Sequence, residues 1–162
     1  MNPGVNNCWL YSTGNQSVIR LNNSNCSVTV NGDTEITAGK DNGDGLNGIL
    51  VQNGTLTFNS GSVYKRGATG QPAVGSMTNS GSKTIINGGY FYSEAGNSWT
   101  LRKPNTASMT INGGYMNNAP STGNGSPALV YGQDKSLVPL ADPVNHVHQT
   151  TGTTLSYGYS VE

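Results

Sequence analysis

The amino-acid sequence predicts an all-β fold, a parallel β-solenoid in which the chain coils through successive rungs of short strands. Three observations support this prediction: a turn-rich composition, a recurring strand-like segment, and the lack of any useful apolar pattern with helical period. The 162-residue chain contains 23 glycines and 21 asparagines, and only 10% of its residues are charged. Because it is neutral and carries eight tyrosines, two tryptophans and many β-branched residues, turn-dense β structure is favoured over disorder.

The recurring segment becomes visible when the sequence is aligned on asparagine. The copies are SVTVNGD (27–33), TLTFNSG (55–61), TIINGG (84–89), MTINGG (109–114) and the degenerate VPLADP (138–143). The anchors Asn31, Asn59, Asn87 and Asn112 are 28, 28 and 25 residues apart, and Ala141 takes the fifth position. A rung of this length cannot bury its inner face alone, so a core forms only when rungs stack about 4.8 Å apart.

Two weaker repeated segments, which we call echoes, accompany the anchors: an upstream echo precedes all five and a downstream echo follows three of them. Together they predict three strands per rung, in about five rungs. The upstream echoes are 17–23, 48–54, 75–81, 99–105 and 128–134, and the downstream echoes are 62–66, 90–94 and 115–119. Strand alternation predicts the inward side chains of the anchored strands. They are Val28 and Val30, Leu56 and Phe58, Thr84 and Ile86, Met109 and Ile111, and Val138 and Leu140.

The anchors and their glycines have a structural interpretation. Stacked asparagine amides can hydrogen-bond from rung to rung, and glycine adopts the positive φ of a sharp corner. Pro139 and Pro143 cannot donate to a ladder and so indicate where stacking ends. We expect one domain, with rungs over residues 17–142, an N-terminal cap over 1–16 and a C-terminal cap over 143–162.

The chain resembles single-stranded right-handed parallel β-helix proteins of the pectate-lyase-like superfold in its INGG motif, its rung length and its asparagine ladder. More narrowly, it resembles the INGG-repeat surface proteins and related carbohydrate-binding domains of gut Bacteroidetes. The resemblance covers about residues 17–142. It implies a right-handed β-helix at a bacterial cell surface or outside the cell, and a role as an adhesin-like module that recognises a glycan or another host-surface ligand.

The downstream strands predict a tyrosine-rich outer face. If Val63, Phe91 and Met116 point inward, alternation turns the intervening side chains outward. These are Tyr64, Tyr90, Tyr92 and Tyr115, with Glu94 beside them. Aromatic rings with polar tips suit stacking on sugar rings, so we expect this exposed face to bind glycans. The alternatives are that the tyrosines only protect a flat sheet, or that the in/out assignment is reversed.

The pattern of reactive residues favours binding over catalysis. The eight acidic residues form no tight cluster, no Gly-x-Ser-x-Gly motif occurs, and we expect no organic cofactor. A calcium-dependent polysaccharide lyase is the least favoured alternative. The stretch KDNGDG (40–45) lacks the bidentate glutamate of an EF-hand loop and is interpreted as a surface turn.

His146 and His148 are weak metal candidates, because two ligands do not complete a site. Trimeric phage tail fibres use His-x-His pairs to hold iron on their threefold axis. The alternative function is therefore a receptor-binding fragment of a trimeric phage fibre or tailspike. Otherwise we expect a monomer.

Charge and hydropathy limit the remaining partners. Eight basic and eight acidic residues are spread without runs, so neither nucleic acid nor an anionic membrane surface is an expected partner. No apolar stretch approaches the length of a membrane span, and residues 1–20 do not resemble a signal peptide. Cys8 and Cys26 are compatible with either a disulfide or two buried thiols.

Overall fold

The predicted repeat is present as stacked parallel strands in the computed structural model of the chain, which describes residues 8–39, 46–68, 70–76, 81–95, 99–103, 107–122, 129–149 and 151–162. These residues form fourteen strands and no helix. In chain order the strands are β1 (Trp9–Ser12), β2 (Ile19–Val30), β3 (Glu35–Ala38), β4 (Ile49–Phe58), β5 (Ser62–Lys65), β6 (Val74–Ser76), β7 (Ser82–Ile86), β8 (Tyr90–Ser93), β9 (Leu101–Arg102), β10 (Ser108–Ile111), β11 (Gly114–Met116), β12 (Val130–Tyr131), β13 (Leu137–His148) and β14 (Thr153–Val161). Within these ranges no helix could span a membrane.

The strands stack in three columns, as the anchored segments and their upstream and downstream echoes predict. The upstream column contains residues 19–21 of β2, 49–51 of β4, then β6 and β9. The central column contains residues 27–30 of β2, 55–58 of β4, then β7, β10 and β12. The downstream column, which we call sheet A, runs β1-β3-β5-β8-β11 and is extended by β14 and β13. The fold is therefore an all-β parallel solenoid, the predicted class.

The solenoid is shorter than predicted. The expectation was about five three-strand rungs, whereas the structure makes about three turns. At the C-terminal end the central column closes with the short strand β12, which pairs through Thr110↔Val130 and Ile111↔Tyr131.

The segment VPLADP was wrongly assigned as the fifth anchored strand. Val138 pairs antiparallel with Ser160 in a hairpin, so neither Val138 nor Leu140 continues the inner rows of β10. The echo ALVYGQD supplies the fifth strand instead, and Gly132 follows Tyr131 as Asn112 follows Ile111. Its missing side chain leaves room for the last ladder amide, since a Cβ at Gly132 would lie 2.3 Å from Asn112 Oδ1.

The core fills the interior of the coil, as alternation predicts. Of the predicted inward residues, the fully or nearly buried ones are Val30, Leu56, Phe58, Thr84, Ile86, Met109 and Ile111, together with Val63, Phe91 and Met116. The Phe58 and Phe91 rings pack with centroids 4.8 Å apart. Thr84 is the polar exception, and its hydroxyl meets the buried Ser76 hydroxyl at 3.1 Å. This partner satisfies a polar group that would otherwise be costly in the core.

The predicted asparagine ladder is present. Asn59 Nδ2 donates to Asn31 Oδ1 at 2.8 Å, Asn87 Nδ2 to Asn59 Oδ1 at 2.7 Å, and Asn112 Nδ2 to Asn87 Oδ1 at 2.7 Å. Every amide thus donates in the same direction along the column. The four side chains therefore lie on top of one another, as the solenoid register requires.

Strands β13 and β14 form a long antiparallel hairpin, most of which lies in the segment predicted as the C-terminal cap. Residues 137–139 pair with 159–161, and Val144–His148 pair with Thr153–Tyr157, with an irregularity between Pro139 and Val144. Both predicted edge prolines lie on β13, the outermost strand of sheet A. A bulge of this kind bends a strand, so the two halves of the hairpin meet different parts of the molecule.

The N-terminal end of sheet A is formed by β1, inside the segment predicted as a cap. β1 pairs in parallel with β3 through Trp9↔Glu35 and Tyr11↔Thr37. Trp9 is 51% exposed and Tyr11 53% exposed. Cys8 and Cys26 are free and exposed, so the structure contains no disulfide between them and the prediction of two buried thiols is wrong as well.

Candidate functional site

The outer face of sheet A carries two rows of side chains that the parallel register sets in line. The first row is Trp9, Glu35, Ser62, Tyr90 and Tyr115, and the second row is Tyr11, Thr37, Tyr64 and Tyr92. All four predicted tyrosines therefore share one face, opposite to the inward Val63 and Phe91. The in/out assignment made from alternation is confirmed.

The expectation that this face is open to solvent is wrong. Tyr64 is only 4% exposed, and the hairpin residues Leu155 (5%) and Tyr157 (0%) pack on it. Tyr90, Tyr92 and Tyr115 are partly buried against the same cluster. The physical reason is the bend between Pro139 and Val144, which directs the distal half of the hairpin across the tyrosines.

Aromatic contacts hold the hairpin to the sheet. The rings of His146 and Tyr90 stack with centroids 4.1 Å apart and planes 5° apart, and Tyr90 stacks in turn on Tyr115 at 5.1 Å. Tyr157 meets the edges of Tyr90 and Tyr92 at 5.4 and 5.8 Å. Offset and edge-on pairs of this kind add to the free energy of area burial, so the tyrosines form an intramolecular interface.

His148 lies at the far end of this interface and is fully buried. Its Nδ1 atom is 3.6 Å from Glu35 Oε2 and 3.5 Å from Thr37 Oγ1, and its ring packs on Tyr64 at 5.4 Å. Burial lowers the pKa of His148 to about 4, although the Glu35 carboxyl acts in the opposite direction. The imidazole is therefore neutral near pH 7.

The two histidines do not form the predicted weak metal pair at the surface. Both project from β13 toward sheet A of their own chain, where His146 stacks on Tyr90 and His148 contacts Glu35. Among the residues that the structure describes, no three His, Cys, Asp or Glu side chains come together as a metal site. The stretch 40–45 lies outside the described residues.

Glu94 is at the opposite margin of the tyrosine cluster and is exposed. Its Oε1 atom accepts a hydrogen bond from Tyr64 Oη at 3.4 Å, and its Oε2 atom accepts one from the Gly67 backbone N–H at 2.6 Å. Burial, with a further contribution from Glu94, raises the pKa of Tyr64. Glu94 thus anchors a turn and the edge of the cluster.

A groove of about 500 Å³ opens where the hairpin crosses the start of the sheet A strands. Its walls come from three corners of the solenoid on one side and the end of β13 on the other. The lining residues are Gly32, Asp33, Glu35, Ser60, Gly61, Ser62, Gly89, Tyr90, His146, Val147 and Gln149. A volume of this size is within the range of small-ligand sites, roughly 300–1,000 Å³.

The groove exists because Ser62 is small. In the first row Ser62 lies between Glu35 and Tyr90. Its side chain is smaller than those of both neighbours and leaves space above the sheet at this position. Ser62 is 1% exposed, and among the described residues its hydroxyl has no hydrogen-bond partner. A buried hydroxyl without a partner costs free energy. The oxygen has almost no accessible surface in the free protein, so a ligand group reaches it only after a small shift of the groove floor.

The polar wall of the groove contains residues that are far apart in the sequence. Glu35 Oε1 accepts a hydrogen bond from the backbone N–H of Gln149 at 2.6 Å. Asp33 lies on the turn before Glu35 and is exposed. Two acidic side chains and the His146 ring therefore line the groove, and burial lowers the pKa of His146. The described lining contains neither lysine nor arginine.

Sequence reasoning missed Ser62, Gln149 and Trp9 as members of this region. Sequence reasoning overlooked Ser62 because the aligned residues Tyr90 and Tyr115 were chosen as aromatic candidates and Ser62 is not aromatic. Trp9 lay in a segment assigned as a cap, although its alternation with Tyr11 matches a half-exposed strand. Gln149 reaches Glu35 only through the docked hairpin, and no local pattern predicts a contact over that separation.

No family model, curated protein or solved structure shows significant similarity to this chain.

Proposed function

We propose that this chain is a non-enzymatic binding module that holds part of a glycan in the groove between sheet A and the C-terminal hairpin. The observation that carries the proposal is the buried, unpartnered Ser62 hydroxyl on the floor of a groove of about 500 Å³. Sugars offer many hydroxyl groups, and a groove with few, fixed polar atoms suits their recognition. Asp33, which is exposed, supplies a further acceptor in the groove lining.

We assign the aromatic contact with the sugar to Trp9, because the hairpin covers the tyrosines. Trp9 follows Glu35 in the first row and is 51% exposed. An exposed indole ring next to the groove suits stacking on a second sugar ring. In this proposal Tyr90 supports the groove wall, whereas Tyr64, Tyr92, Tyr115 and Glu94 hold the hairpin in place.

The proposal extends to location and biological role. A module of this kind would act outside a bacterial cell, displayed at its surface as an adhesin-like domain that engages a host or environmental glycan. The support is the low charge of the chain and an INGG motif that resembles the repeats of surface β-helix proteins. A rigid solenoid positions the groove without a cofactor.

The two alternatives gain no specific support. The fibre hypothesis depended on His146 and His148 near a threefold axis, and both rings pack against their own chain. A lyase would require more carboxylates around calcium than Asp33 and Glu35, which are the acidic residues in the described lining of the groove. Light scattering tests the fibre hypothesis, which a trimer mass would favour. An assay for unsaturated products released from pectin tests the lyase hypothesis.

A glycan array on the purified chain, followed by titration of the hits, tests the proposed function. A Trp99→Phe background leaves Trp9 as the only tryptophan, so that its fluorescence reports binding beside the groove. We expect Ser62→Ala to weaken binding about tenfold while leaving thermal stability unchanged or higher, because the hydroxyl has no partner in the free protein. Trp9→Ala in the wild-type chain, followed by calorimetry because this variant loses the reporter, should weaken binding too, with Trp99→Ala as the matched control. Unaltered affinity in both Ser62→Ala and Trp9→Ala would contradict the proposal.

A further inference from the structure

Asparagine followed by glycine is the dipeptide that loses its side-chain amide most readily, because glycine leaves its backbone nitrogen unhindered. The part of the chain that the structure describes contains five such pairs, which begin at Asn31, Asn47, Asn53, Asn87 and Asn112. The reaction requires the glycine nitrogen to approach the asparagine Cγ atom, so it depends on how tightly each turn is held. The structure holds these five turns very unequally.

Two of the pairs are held by contacts outside the ladder. Asn47 is 4% exposed, and its Nδ2 atom donates to the Pro72 carbonyl oxygen at 3.0 Å. After Asn53 the attacking nitrogen itself is engaged, since the Gly54 N–H donates to the Gly81 carbonyl oxygen at 3.3 Å. Both arrangements oppose the movement that the reaction requires.

Two further pairs lie inside the stack of ladder corners. A Cβ atom at Gly88 would lie 2.9 Å from the Asn59 carbonyl oxygen, and one at Gly113 would lie 2.6 Å from the Asn87 carbonyl oxygen. The backbone after Asn87 and after Asn112 therefore packs directly on the previous corner. Close packing of this kind restricts rearrangement.

The corner formed by Asn31 and Gly32 is the end of the ladder. Both residues are exposed, and a Cβ atom at Gly32 would meet no described atom within 4 Å. Asn31 Oδ1 accepts from Asn59, whereas Asn31 Nδ2 and the Gly32 N–H have no partner among the described residues. Segments at the end of a structure open at low free energy, so this pair reaches the reactive geometry most easily.

We propose that Asn31 is a site of spontaneous deamidation. The Gly32 nitrogen attacks Cγ of Asn31 and forms the N–Cγ bond of a cyclic imide. The Cγ–Nδ2 bond breaks, and the proton of the Gly32 N–H leaves with the departing ammonia. Water then opens the imide at either carbonyl group, which gives aspartate or isoaspartate without an oxidant or a reductant.

The polarity of the ladder makes this position tolerant of an aspartate. Every ladder amide donates toward Asn31, which contributes only its Oδ1 atom, as an acceptor. An aspartate there keeps an acceptor for Asn59, and ionised acceptors form stronger hydrogen bonds. An aspartate at position 87 would instead lose the donor to Asn59 and set two acceptors against each other. At Asn31 the reaction adds a carboxyl group close to Asp33 of the groove lining.

Peptide mapping by mass spectrometry on the purified full chain tests the proposal. The folded protein is kept at mildly alkaline pH for several weeks, and each pair is followed by the mass change for loss of ammonia and gain of water. Trypsin releases Asn31 in peptide 21–40 and Asn87 in peptide 84–102, each with one Asn-Gly pair. We expect Asn31 to react about tenfold faster than Asn87, since a difference of about 1.4 kcal/mol in the cost of opening suffices for this ratio.

A sample unfolded in urea is the control, because unfolding frees every turn and the two peptides should then react at similar rates. Equal rates for Asn31 and Asn87 in the folded protein, or a slower rate for Asn31, would overturn the proposal. A preference for Asn31 that persists unchanged in urea would overturn it too, since the preference would then come from the local sequence.

Two variants test the role of ladder polarity at neutral pH. Asn31→Asp should leave the Tm unchanged or raise it, whereas Asn87→Asp should lower it. An equal fall in Tm for both variants would overturn the claim that the end of the ladder tolerates the product. Neither measurement involves a ligand, so the outcome is independent of the proposed glycan binding.

Discussion

The imidazole ring of His146 lies flat on the phenol ring of Tyr90, with centroids 4.1 Å apart and planes 5° apart. This stack joins the C-terminal hairpin to the outer face of the solenoid and forms one wall of the groove. The hairpin is thus held by ring contacts in addition to the pairing of β14 with β11, and the ring contacts can be tested directly by substitution.

The first prediction concerns this stack. His146→Ala should lower the free energy of unfolding by about 1 kcal/mol, the usual worth of an aromatic pair beyond its area. Denaturant unfolding measures the change. His146→Phe keeps a flat ring on Tyr90 and should retain most of the stability, so equal losses in both variants would contradict a role for stacking.

A second prediction concerns the buried hydroxyl of Tyr157. The side chain is fully buried, and its hydroxyl has no hydrogen-bond partner. Tyr157→Phe removes this group and keeps the ring contacts, so we expect a gain of about 1 kcal/mol and a higher Tm. Tyr64→Phe is the matched control, because the Tyr64 hydroxyl donates to Glu94. A loss of stability in Tyr157→Phe would show that the hydroxyl has a partner.

The third prediction concerns pH. Burial lowers the pKa of His148 to about 4, below its ordinary value of about 6.5. The docked hairpin therefore disfavours the protonated ring. Its docking should be fully stable above about pH 6.5 and should weaken progressively as the pH falls from 6.5 through 4.

Hydrogen exchange of the backbone amides of β13 and β14 over this pH range measures the effect. Other titratable side chains face this interface, namely Glu35, which contacts His148, and His146, with Asp33 close by. His148→Gln separates their contribution, since glutamine does not titrate. Identical acid profiles for the wild type and His148→Gln would rule His148 out as the cause.

The fourth prediction concerns the asparagine ladder. Asn59 makes two ladder hydrogen bonds, whereas Asn31 at the end makes one. Asn59→Ala should therefore destabilise the solenoid by about 1–2 kcal/mol, and Asn31→Ala by about half as much. Thermal unfolding of both variants, with the exposed Asn145→Ala for comparison, checks the ratio. Equal small losses at all three sites would mean that the ladder adds nothing.

The fifth prediction concerns the corner glycine that borders the groove. Gly61 has φ +112°, and a Cβ there would lie 2.4 Å from the backbone oxygen of Thr34. Gly61→Ala should cost about 2 kcal/mol or more, because both the backbone conformation and the contact are unfavourable. Gly14→Ala is the control, since a Cβ at Gly14 meets nothing within 4 Å. Similar stability of the two variants would contradict this account.

The stacked rungs could be predicted from sequence because each rung repeats the same local rule. Asparagine anchors set the register, and strand alternation then assigned Leu56 and Phe58 inward and Tyr64 and Tyr92 outward. The end of the repeat was harder to place. Gly132 replaces asparagine in the fifth anchor position, so the alignment moved to the nearby VPLADP segment.

The site could not be predicted in the same way. An outward row of tyrosines looks identical in sequence whether it faces water or a later segment of the chain. Leu155, Tyr157, Tyr159 and Val161 alternate as a strand with one apolar side, which predicts burial but not the surface that receives it. That surface depends on the irregularity after Pro139, which redirects the strand and leaves no periodic signal.

The groove joins residues near the beginning of the chain, such as Glu35, to Gln149 near its end. During synthesis on the ribosome the rungs can stack in order as they emerge, because each touches only its neighbours. The groove therefore cannot form until Gln149 and the strands of the C-terminal hairpin have left the exit tunnel. A nascent chain that stops at residue 136 would carry the ladder but not the groove, so the formation of the groove would report that the hairpin has been made.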